Sequence, residues 1–287
     1  MKDITLFSHS DWPFNRREFM IKSVGGIATL LTLQVPFALA SGSQKSFTVQ
    51  EIIDLILKEG ALSPISGTVD TIKAGQPDQV VTGIVTTMFP TIPVIEETAK
   101  LGANFIIAHE PSFYNHRDDA DWMTGNSIQK KKLELLKKYG MAIWRFHDNC
   151  HSLSPDAVGY GVAKKANWLP YFKTGQRMLT IPAVSLKKLV QHLKSSLGIN
   201  HIRVIGDLEQ SCSRLALIPG AAGGRSQISM VETERPDVLI VGEVSEWETA
   251  EYIRDGRWLG AKTSLIILGH AVSEEPGMEY LDRKSVV

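Results

Sequence analysis

Short apolar segments alternate with amphipathic segments along most of this chain, and that alternation constrains the fold more than any other feature of the sequence. Six apolar runs rich in Val, Ile and Leu predict strands, at residues 80–88, 104–108, 141–146, 214–218, 238–241 and 264–268. Five segments with helical spacing of apolar residues predict helices, at residues 47–58, 91–101, 127–139, 186–197 and 245–254. Strands that alternate with helices predict an α/β fold with mixed, mainly parallel sheets flanked by helices.

Local signals mark where some of these elements begin and end. Thr48 precedes the first helix and Glu51 follows it by three residues, the spacing of a capping box. Pro93 lies in the first turn of the second helix, and Gly102 lies just past its end. The alternation of predicted strands and helices is interrupted at residues 166–185, which indicates a weakly marked boundary between two parts of the chain.

Residues 1–40 have the features of an export signal. Arg16 and Arg17 are followed by apolar residues and a lysine, as in a twin-arginine signal. A weakly apolar stretch follows at residues 24–33, and Ala-Leu-Ala at residues 38–40 has the small-x-small pattern of a cleavage site. The alternative, a short membrane anchor, fits less well because a glutamine and a proline interrupt the apolar stretch. We therefore expect a cleaved signal, no stable membrane anchor, and a periplasmic or extracellular location.

The charge balance argues against one class of partner. The chain has 31 basic residues (Lys and Arg) and 31 acidic residues, so its formal net charge is zero. The chain therefore lacks the excess of basic residues that is typical of nucleic-acid-binding proteins, and we expect no nucleic-acid partner. The two cysteines, Cys150 and Cys212, are too few for a disulfide framework, which leaves open a single bridge or two free thiols.

Polar clusters follow three of the predicted strands. These clusters hold the candidate functional residues: His109 and Glu110 after residues 104–108, His147, Asp148 and His151 after residues 141–146, and His270, Glu274 and Glu275 after residues 264–268. In open α/β sheets, ligands bind beyond the carboxyl ends of the strands, so the three clusters are expected to converge on one site.

The residue types in these clusters suit divalent metal ions. Neutral imidazole binds zinc and iron, and carboxylates can bridge two cations and neutralise their charge. Any one strand-end histidine is more often a hydrogen-bonded loop residue than a ligand. The hypothesis therefore depends on all three clusters. The five residues predicted to bind metal are His109, Glu110, His151, His270 and Glu274. Five ligands are too many for a closed tetrahedral ion, which predicts two ions, of zinc, iron or manganese.

Two stretches that carry these clusters resemble a known family. Residues 70–116 and 237–277 are similar to the NGG-interacting-factor-three-like family of dinuclear metal-centre proteins, often called GTP cyclohydrolase type one, type two homologues. The most specific shared motifs are His-Glu-Pro at residues 109–111 and Gly-His-x-x-x-Glu-Glu-Pro-Gly at residues 269–277. The resemblance implies two related α/β halves with the metal site between them. The first half is expected to span residues 41–175, and the second, at residues 176–287, to close the site.

The sequence departs from the family pattern at two ligand positions. In the family's first motif two histidines precede the proline, whereas Glu110 stands here in place of the second. In the middle motif a His is followed four residues later by a liganding Asp; here the pair is His147 and His151, so His151 would replace the Asp. The last motif, with His270 and Glu274, is unchanged. The two departures exchange a carboxylate and an imidazole, so the balance of ligand charge is kept.

The middle cluster leaves the choice of ligand open. Asp148 competes with His151 for the metal, and we favour His151. His147 is expected to lie beside the ligands and to orient a ligand or substrate. Glu275, Asp148 and His147 are the residues predicted to move protons.

The predicted function is that of a metal-dependent hydrolase acting on a small phosphorylated, nucleotide-like or cyclic amide substrate, because paired ions can activate water and stabilise a developing oxyanion. The alternative is a non-catalytic metal carrier or regulatory adaptor, which a closed site would favour. The resemblance also implies a ring-like homohexamer. The family usually continues past its last motif with another helix and strand. This sequence ends ten residues after Gly277, so the final helix is expected to be short.

Overall fold

The computed structural model describes residues 46–119 and 121–284 and has a mixed α/β fold with two sheets flanked by helices. The fold class expected from the sequence is therefore confirmed. The proposed export signal at residues 1–40 lies outside the described residues. Among residues 46–119 and 121–284, no helix is both long enough and apolar enough to cross a membrane.

The first sheet contains four strands in the order β1-β4-β3-β2. Their bounds are β1 Ile72–Ala74, β2 Ile84–Thr87, β3 Phe105–Ala108 and β4 Ala142–Arg145. Strands β2, β3 and β4 are parallel, with β2 at one edge, and β1 is antiparallel to β4 at the other edge. The carboxyl ends of β3 and β4 therefore lie side by side, with Ala108 level with Arg145.

Strands β3 and β4 are buried along their whole length because helices cover both faces of this sheet. The helices of the first part are α1 Val49–Glu59, α2 Ile92–Lys100, α3 Ser127–Lys138, the single turn α4 Asp148–His151, and α5 Ala157–Lys165. Ile95 of α2 and Leu135 of α3 pack on one face, whereas Ile53 of α1 and Val158 of α5 belong to the core on the other.

The second sheet contains five strands in the order β5-β7-β8-β9-β6. Their bounds are β5 Met178–Ser185, β6 Arg203–Ile205, β7 Ser211–Ile218, β8 Val238–Val241 and β9 Ser264–Ile267. The centre, β7-β8-β9, is parallel, and both edge strands are antiparallel to their neighbours. Both sheets thus contain three adjacent parallel strands, to which the first sheet adds one antiparallel edge strand and the second sheet adds two.

The helices of the second part are α6 Leu186–Leu197, α7 Gly224–Glu234, the π-helical turn Glu246–Ala250 that continues into α8 Glu251–Trp258, and α9 His270–Lys284. Leu189 and Leu193 of α6 pack on one face of the second sheet. Val231 of α7 and Ile253 of α8 pack on the other face.

Helix α9 follows the second sheet in sequence but completes the core of the first. Met278 and Leu281 of α9 lie in the same apolar cluster as Phe105 of β3. Helices α9 and α5 cross closely, since a Cβ added at Gly161 would lie 2.4 Å from the backbone nitrogen of Gly277. This crossing carries the start of α9 to the carboxyl ends of β3 and β4.

Most central elements match the sequence-based predictions, and the differences have physical reasons. The antiparallel edge strands β1, β5 and β6 were not predicted, because edges lack the continuous apolar runs of buried strands. The final helix was expected to be short, yet α9 is 15 residues long and continues past Pro276 to Lys284. The packing of Met278 and Leu281 stabilises the part of the helix beyond the proline. Both cysteines are free and buried.

Candidate metal centre

Three chain segments bring the predicted site residues together at the carboxyl ends of the parallel strands. The end of β3 supplies His109 and Glu110, the turn α4 after β4 supplies His147 and His151, and the start of α9 after β9 supplies His270 and Glu274. The convergence expected from the positions of the strand ends is therefore present in the structure, in the form expected for open α/β sheets.

His109 is fully buried and has one ring nitrogen without a hydrogen-bond partner. Its Nδ1 lies 3.1 Å from the carbonyl oxygen of Phe146, which fixes the orientation of the ring. Its Nε2 makes no hydrogen bond and lies 3.6 Å from Oε2 of Glu274. Burial, reinforced by the positive charges of His151 and His147, lowers the pKa of His109 to about 3. The ring is therefore neutral at physiological pH, the form that binds metal.

Glu110 lies between two histidines and a buried arginine. Its Oε1 is 3.2 Å from Nε2 of His270 and 3.7 Å from Nε2 of His147. Its Oε2 is 3.3 Å from a terminal nitrogen of Arg145. Burial by itself would raise the pKa of Glu110, but the close contact with His270 and the charges of the neighbouring histidines lower it overall. The group is therefore an ionised carboxylate, held by Arg145 on one oxygen and facing the histidines with the other.

His270 and Glu274 are one helical turn apart on α9 and face the same point. Nε2 of His270 lies 3.0 Å from Oε2 of Glu274, and Nδ1 lies 3.2 Å from Oε2 of Glu243. Burial opposes the charged ring, but the close, negatively charged carboxylates of Glu110 and Glu274 raise the pKa of His270 to about 10. Without metal, a proton on His270 thus balances the surrounding carboxylates.

Glu274 fits against a glycine that leaves no room for a side chain. A Cβ added at Gly220 would lie 1.9 Å from Oε1 of Glu274, and Gly220 has a φ of +69°. Ser273 holds the same loop, since its Oγ accepts a hydrogen bond of 2.9 Å from the Gly220 amide. The loop after β7 therefore positions the Glu274 carboxylate.

His147 is oriented by the residue that follows it. Its Nδ1 lies 2.9 Å from Oδ1 of Asp148, which leaves Nε2 directed toward Glu110. The other oxygen of Asp148 accepts hydrogen bonds from the Thr68 hydroxyl at 2.8 Å and the Val69 amide at 3.2 Å. Burial would raise the pKa of Asp148, but these hydrogen bonds and the bond with His147 lower it to about 2. Asp148 is thus a carboxylate that orients an imidazole, as in many metal sites.

Asp70 fixes the turn that carries His147 and His151. Its Oδ1 accepts the backbone N–H groups of His147 at 2.7 Å and Asp148 at 2.9 Å. Its Oδ2 accepts the Asn149 backbone N–H at 2.8 Å. The first N–H groups of a helix have no partner within the helix, so Asp70 caps α4 from a distant loop.

His151 faces the other imidazoles. Its ring centroid lies 5.1 Å from that of His109 and 5.0 Å from that of His147. Its Nδ1 lies 3.3 Å from Oδ1 of Asp156. Burial would lower the pKa of His151, but Asp156 and the nearby glutamates raise it. This geometry favours His151 over Asp148 as the middle ligand, because both oxygens of Asp148 are engaged with other partners.

The donor atoms fit a metal ion. Two sets of potential ligand atoms each lie within 4.8 Å of one another: His109, His147 and His151 form one set, and His109, Glu110 and Glu274 form the other. Three buried atoms that face this cluster have no hydrogen-bond partner: Nε2 of His109, Nε2 of His270 and Oε2 of Glu274. Buried polar atoms normally have partners, so these unpartnered atoms are consistent with a cation at this point, for which His270 would have to give up its proton. The structure also adds His147, which we assigned to proton transfer, to the candidate ligands.

A cavity of about 990 Å³ opens beside the cluster and is lined by Glu110, His147, His151, His270 and Glu274, among others. Lys132 also lines it and is only 3% exposed. Its Nζ donates a short hydrogen bond to the carbonyl oxygen of Ser112 and lies 5.3 Å from the centre of the Tyr114 ring. Burial lowers the pKa of Lys132 to about 8. The cavity wall thus contains a cationic side chain, Lys132, that is separate from the candidate metal ligands.

Two further residues, His116 and the predicted proton-transfer residue Glu275, differ in their relation to this cavity. His116 lines it, with its ring 5.5 Å from that of His147. Glu275 is exposed and is not among the lining residues, because the next position on a helix is rotated by about 100° from Glu274. The structure therefore does not bring Glu275 to the cavity, although proton transfer by this residue was predicted.

Sequence analysis missed several residues that position the ligands. Arg145, Asp70, Glu243, Asp156 and Gly220 each contact a candidate ligand or its backbone. Only Arg145 had a local signal, as a charged residue in the otherwise apolar run at residues 141–146. The others come from distant loops, and no local pattern reports such contacts.

Comparison with known proteins identifies a family that this chain matches. Residues 71–285 match the sequence pattern of the family described as Duf34/NIF3 (NGG1p interacting factor 3). The chain is 21% identical over 246 residues to a GTP cyclohydrolase 1 type 2 homolog from Clostridium perfringens, which covers 82% of this chain and 87% of that protein.

Solved structures share the fold at low sequence identity. Staphylococcus aureus hypothetical protein SA1388 superposes with a TM-score of 0.66 at 16% identity, covering 84% of this chain and 94% of that one. A Bacillus cereus protein related to NIF3 gives a TM-score of 0.63 at 17% identity, covering 84% and 93%. At these identities the likeness establishes the fold alone.

Proposed function

The chain belongs to the Duf34/NIF3 family, and on that premise we propose that it binds two divalent metal ions and hydrolyses a small phosphorylated or nucleotide-like substrate. The observation that carries the proposal is the set of three buried donor atoms without hydrogen-bond partners, on His109, His270 and Glu274. His270 and Glu274 line a cavity large enough for a small molecule, and Nε2 of the buried His109 lies 3.6 Å from Oε2 of Glu274.

The number of donors supports two ions rather than one. The two sets of close donor atoms share only His109, and His270 adds a further imidazole at 3.0 Å from Glu274. Six side chains exceed what a single tetrahedral ion can use. Imidazole together with carboxylate suits zinc, iron or manganese.

When bound, two such ions would lower the pKa of a water molecule and stabilise negative charge on a phosphoryl or carbonyl oxygen. The side chains of this chain supply the rest of the chemistry. Arg145 contacts one oxygen of Glu110 and holds it in place, and Asp148 holds His147 with Nε2 toward the site. These contacts preorganise the ligands, so little reorganisation is needed when a substrate arrives.

The cavity wall supports an anionic substrate over a neutral cyclic amide. Lys132 presents a buried ammonium group that has one carbonyl acceptor, and Arg177 lines another part of the same cavity. A phosphate or similar anion would satisfy the remaining donors of Lys132. The name of the Clostridium perfringens relative makes GTP and related nucleotides sensible first compounds to assay.

His116 is the residue best placed for proton transfer in the cavity. Burial and the positive charge of Arg145 lower its pKa, so the ring is neutral and can accept a proton at physiological pH. It lies beside His147 rather than within the sets of close donors. Proton transfer through His116 takes the place of the roles predicted for Glu275 and Asp148.

A non-catalytic metal carrier is the competing function. A carrier or structural site is usually closed around its ion, whereas this cluster borders a cavity of about 990 Å³. The open cavity supports catalysis over storage.

The test compares metal content and turnover in matched variants. Protein purified without chelators is analysed for metal and then assayed against phosphoesters and nucleotides. The proposal expects close to two equivalents of metal per chain and measurable turnover. Both should be lost in His109→Ala/His270→Ala and kept in the control His192→Ala/His201→Ala, whose histidines lie outside the cavity. Two bound ions without turnover on any compound would favour the carrier, and no bound metal would overturn the proposal.

A further inference from the structure

Helix α8 and the π-helical turn before it expose two tryptophans. Trp247 is 81% exposed and Trp258 is 90% exposed, and Leu259 beside it is 85% exposed. Large apolar side chains are rarely left so open to solvent on one short helix, and such patches mark interaction sites. The patch is rigid, since Ala250 and Ile253 on the opposite side are buried in the core of the second sheet.

The exposed residues form one stripe along the helix. Positions 247, 251, 254 and 258 have the four-three-four spacing of a helix–helix seam, and all four side chains are exposed. We call this set the α8 stripe: Trp247, Glu251, Arg254 and Trp258. Apolar rings occupy its two ends, and opposite charges occupy its centre.

The α8 stripe is complementary to itself. The stripe is symmetric in sequence about a point between Tyr252 and Ile253. The two tryptophans, Trp247 and Trp258, are equally far from this point, and so are the two charged residues, Glu251 and Arg254. When two copies of the helix pair in antiparallel orientation about this midpoint, Trp247 of each copy lies against Trp258 of the partner copy. In the same pairing, each glutamate meets the partner's arginine. A twofold contact requires this property, in which one patch fits its own copy.

We propose that the α8 stripe is a twofold interface between two copies of this chain. The occupant is a second copy rather than another protein because both the apolar and the charged positions are matched by the stripe itself. Within one chain Arg254 already contacts Glu251, so both groups have the orientation that the paired helices would use. Exchanging this contact between chains keeps every charge partnered.

The area available is close to what a specific dimer needs. A tryptophan buries roughly 150–250 Å², so four tryptophans bury on the order of 600–1,000 Å² before Leu259 is added. Stable specific interfaces bury about 1,200 Å² or more in total. The tryptophans therefore supply the greater part, with the remainder from residues that flank α8.

This interface is independent of the proposed metal function. No residue of the α8 stripe lines the cavity or belongs to the candidate metal ligands. Variants in the stripe are therefore expected to keep their metal content. Failure of one proposal leaves the other in place.

The first experiment measures mass in solution. Multi-angle light scattering of purified protein is expected to give at least a dimer for the wild type and half the wild-type mass for Trp247→Glu/Trp258→Glu. The control is Trp122→Glu, a tryptophan that is 67% exposed in the first part of the chain. Wild-type protein that is monomeric at tens of micromolar, or a double variant of unchanged mass, would overturn the proposal.

The second experiment separates contacts between chains from the contact within one chain. Glu251→Arg places two arginines on each stripe, and Arg254→Glu places two glutamates there. Each variant alone is expected to repel its own copy and to lose the contact. Mixing the two variants restores complementary charges between chains, so the mixture should regain the wild-type mass. If the mixture stays at the mass of the separate variants, the two residues pair only within the chain, and the interface is excluded.

Discussion

Nε2 of His109 lies 3.6 Å from Oε2 of Glu274, and neither atom has a hydrogen-bond partner. The first atom follows a strand of the first sheet, and the second lies on the helix that returns from the second sheet. The candidate metal centre is therefore built across the two parts of the molecule, and each part holds only some of the candidate ligands. This division explains why both the fold and the site depend on how α9 packs.

Replacing Glu274 with glutamine tests the ligand set directly. Glu274→Gln keeps the size of the side chain but removes the negative charge beside His109 and His270. Metal affinity is expected to fall by roughly tenfold or more, since ligand charge balances the ions. Competition with a chromogenic chelator measures the change. The matched control, Glu279→Gln on the same helix, should retain wild-type affinity; equal affinity in both variants would exclude Glu274 as a ligand.

Gly220 is predicted to be indispensable for metal binding although it coordinates nothing. Gly220→Ala places a Cβ 1.9 Å from Oε1 of Glu274 and should displace the carboxylate. Gly198→Ala is the control, because Gly198 has a similar φ of +68° but no atom within 4 Å of the added Cβ. Both variants pay a backbone cost of roughly 1–2 kcal/mol, measured by chemical denaturation. Only Gly220→Ala should lose metal; retention of full metal content would contradict the role of the Gly220 loop.

Metal binding is expected to release a proton from His270. Burial would lower the pKa of this group, but Glu110 and Glu274 raise it to about 10, so the metal-free ring is protonated at pH 7. A metal ion needs the neutral ring, so its affinity should rise with pH by up to about tenfold per unit for this one proton. Calorimetric titration in buffers of different ionisation enthalpy counts the protons. An affinity that is flat between pH 6 and pH 8 would contradict this linkage.

The same pKa predicts how the metal-free protein responds to alkali. The folded-state pKa of about 10 lies above the ordinary value of 6.5. The stabilisation from His270 is therefore fully present below pH 6.5 and is lost as the pH rises through 10. Thermal denaturation with chelator should show this loss, and His270→Gln should remove it. Identical pH dependence in the wild type and the variant would show that His270 carries no such stabilisation.

Lys132 is predicted to recognise the anionic part of the substrate. Lys132→Met keeps the apolar stem and removes the buried ammonium group. On any phosphoester that the protein turns over, KM should rise by roughly tenfold or more, as for a lost charged hydrogen bond, while metal content stays unchanged. Lys131→Met, at an exposed position on the same helix, is the control. A fall in kcat with unchanged KM would exclude a binding role.

The sequence by itself determined the local elements and the chemistry of the site. Continuous apolar runs are enough to identify strands buried on both faces, such as Phe105–Ala108 and Val238–Val241. The histidines and glutamates stand out because polar residues directly follow those runs. Since parallel strands end at one edge of a sheet, even the convergence of His109 and His270 could be predicted.

Tertiary structure alone decided how the ligands are held and which residues take part. Asp70 caps the turn of His147 from a distant loop, and Gly220 leaves space for Glu274 after β7. Helix α9 continues past Pro276 because Met278 packs in the core of the first sheet. Helix spacing turned Glu275 away from the cavity that Glu274 faces. These outcomes depend on contacts between segments far apart in sequence, and local patterns of apolar and polar residues carry no information about such contacts.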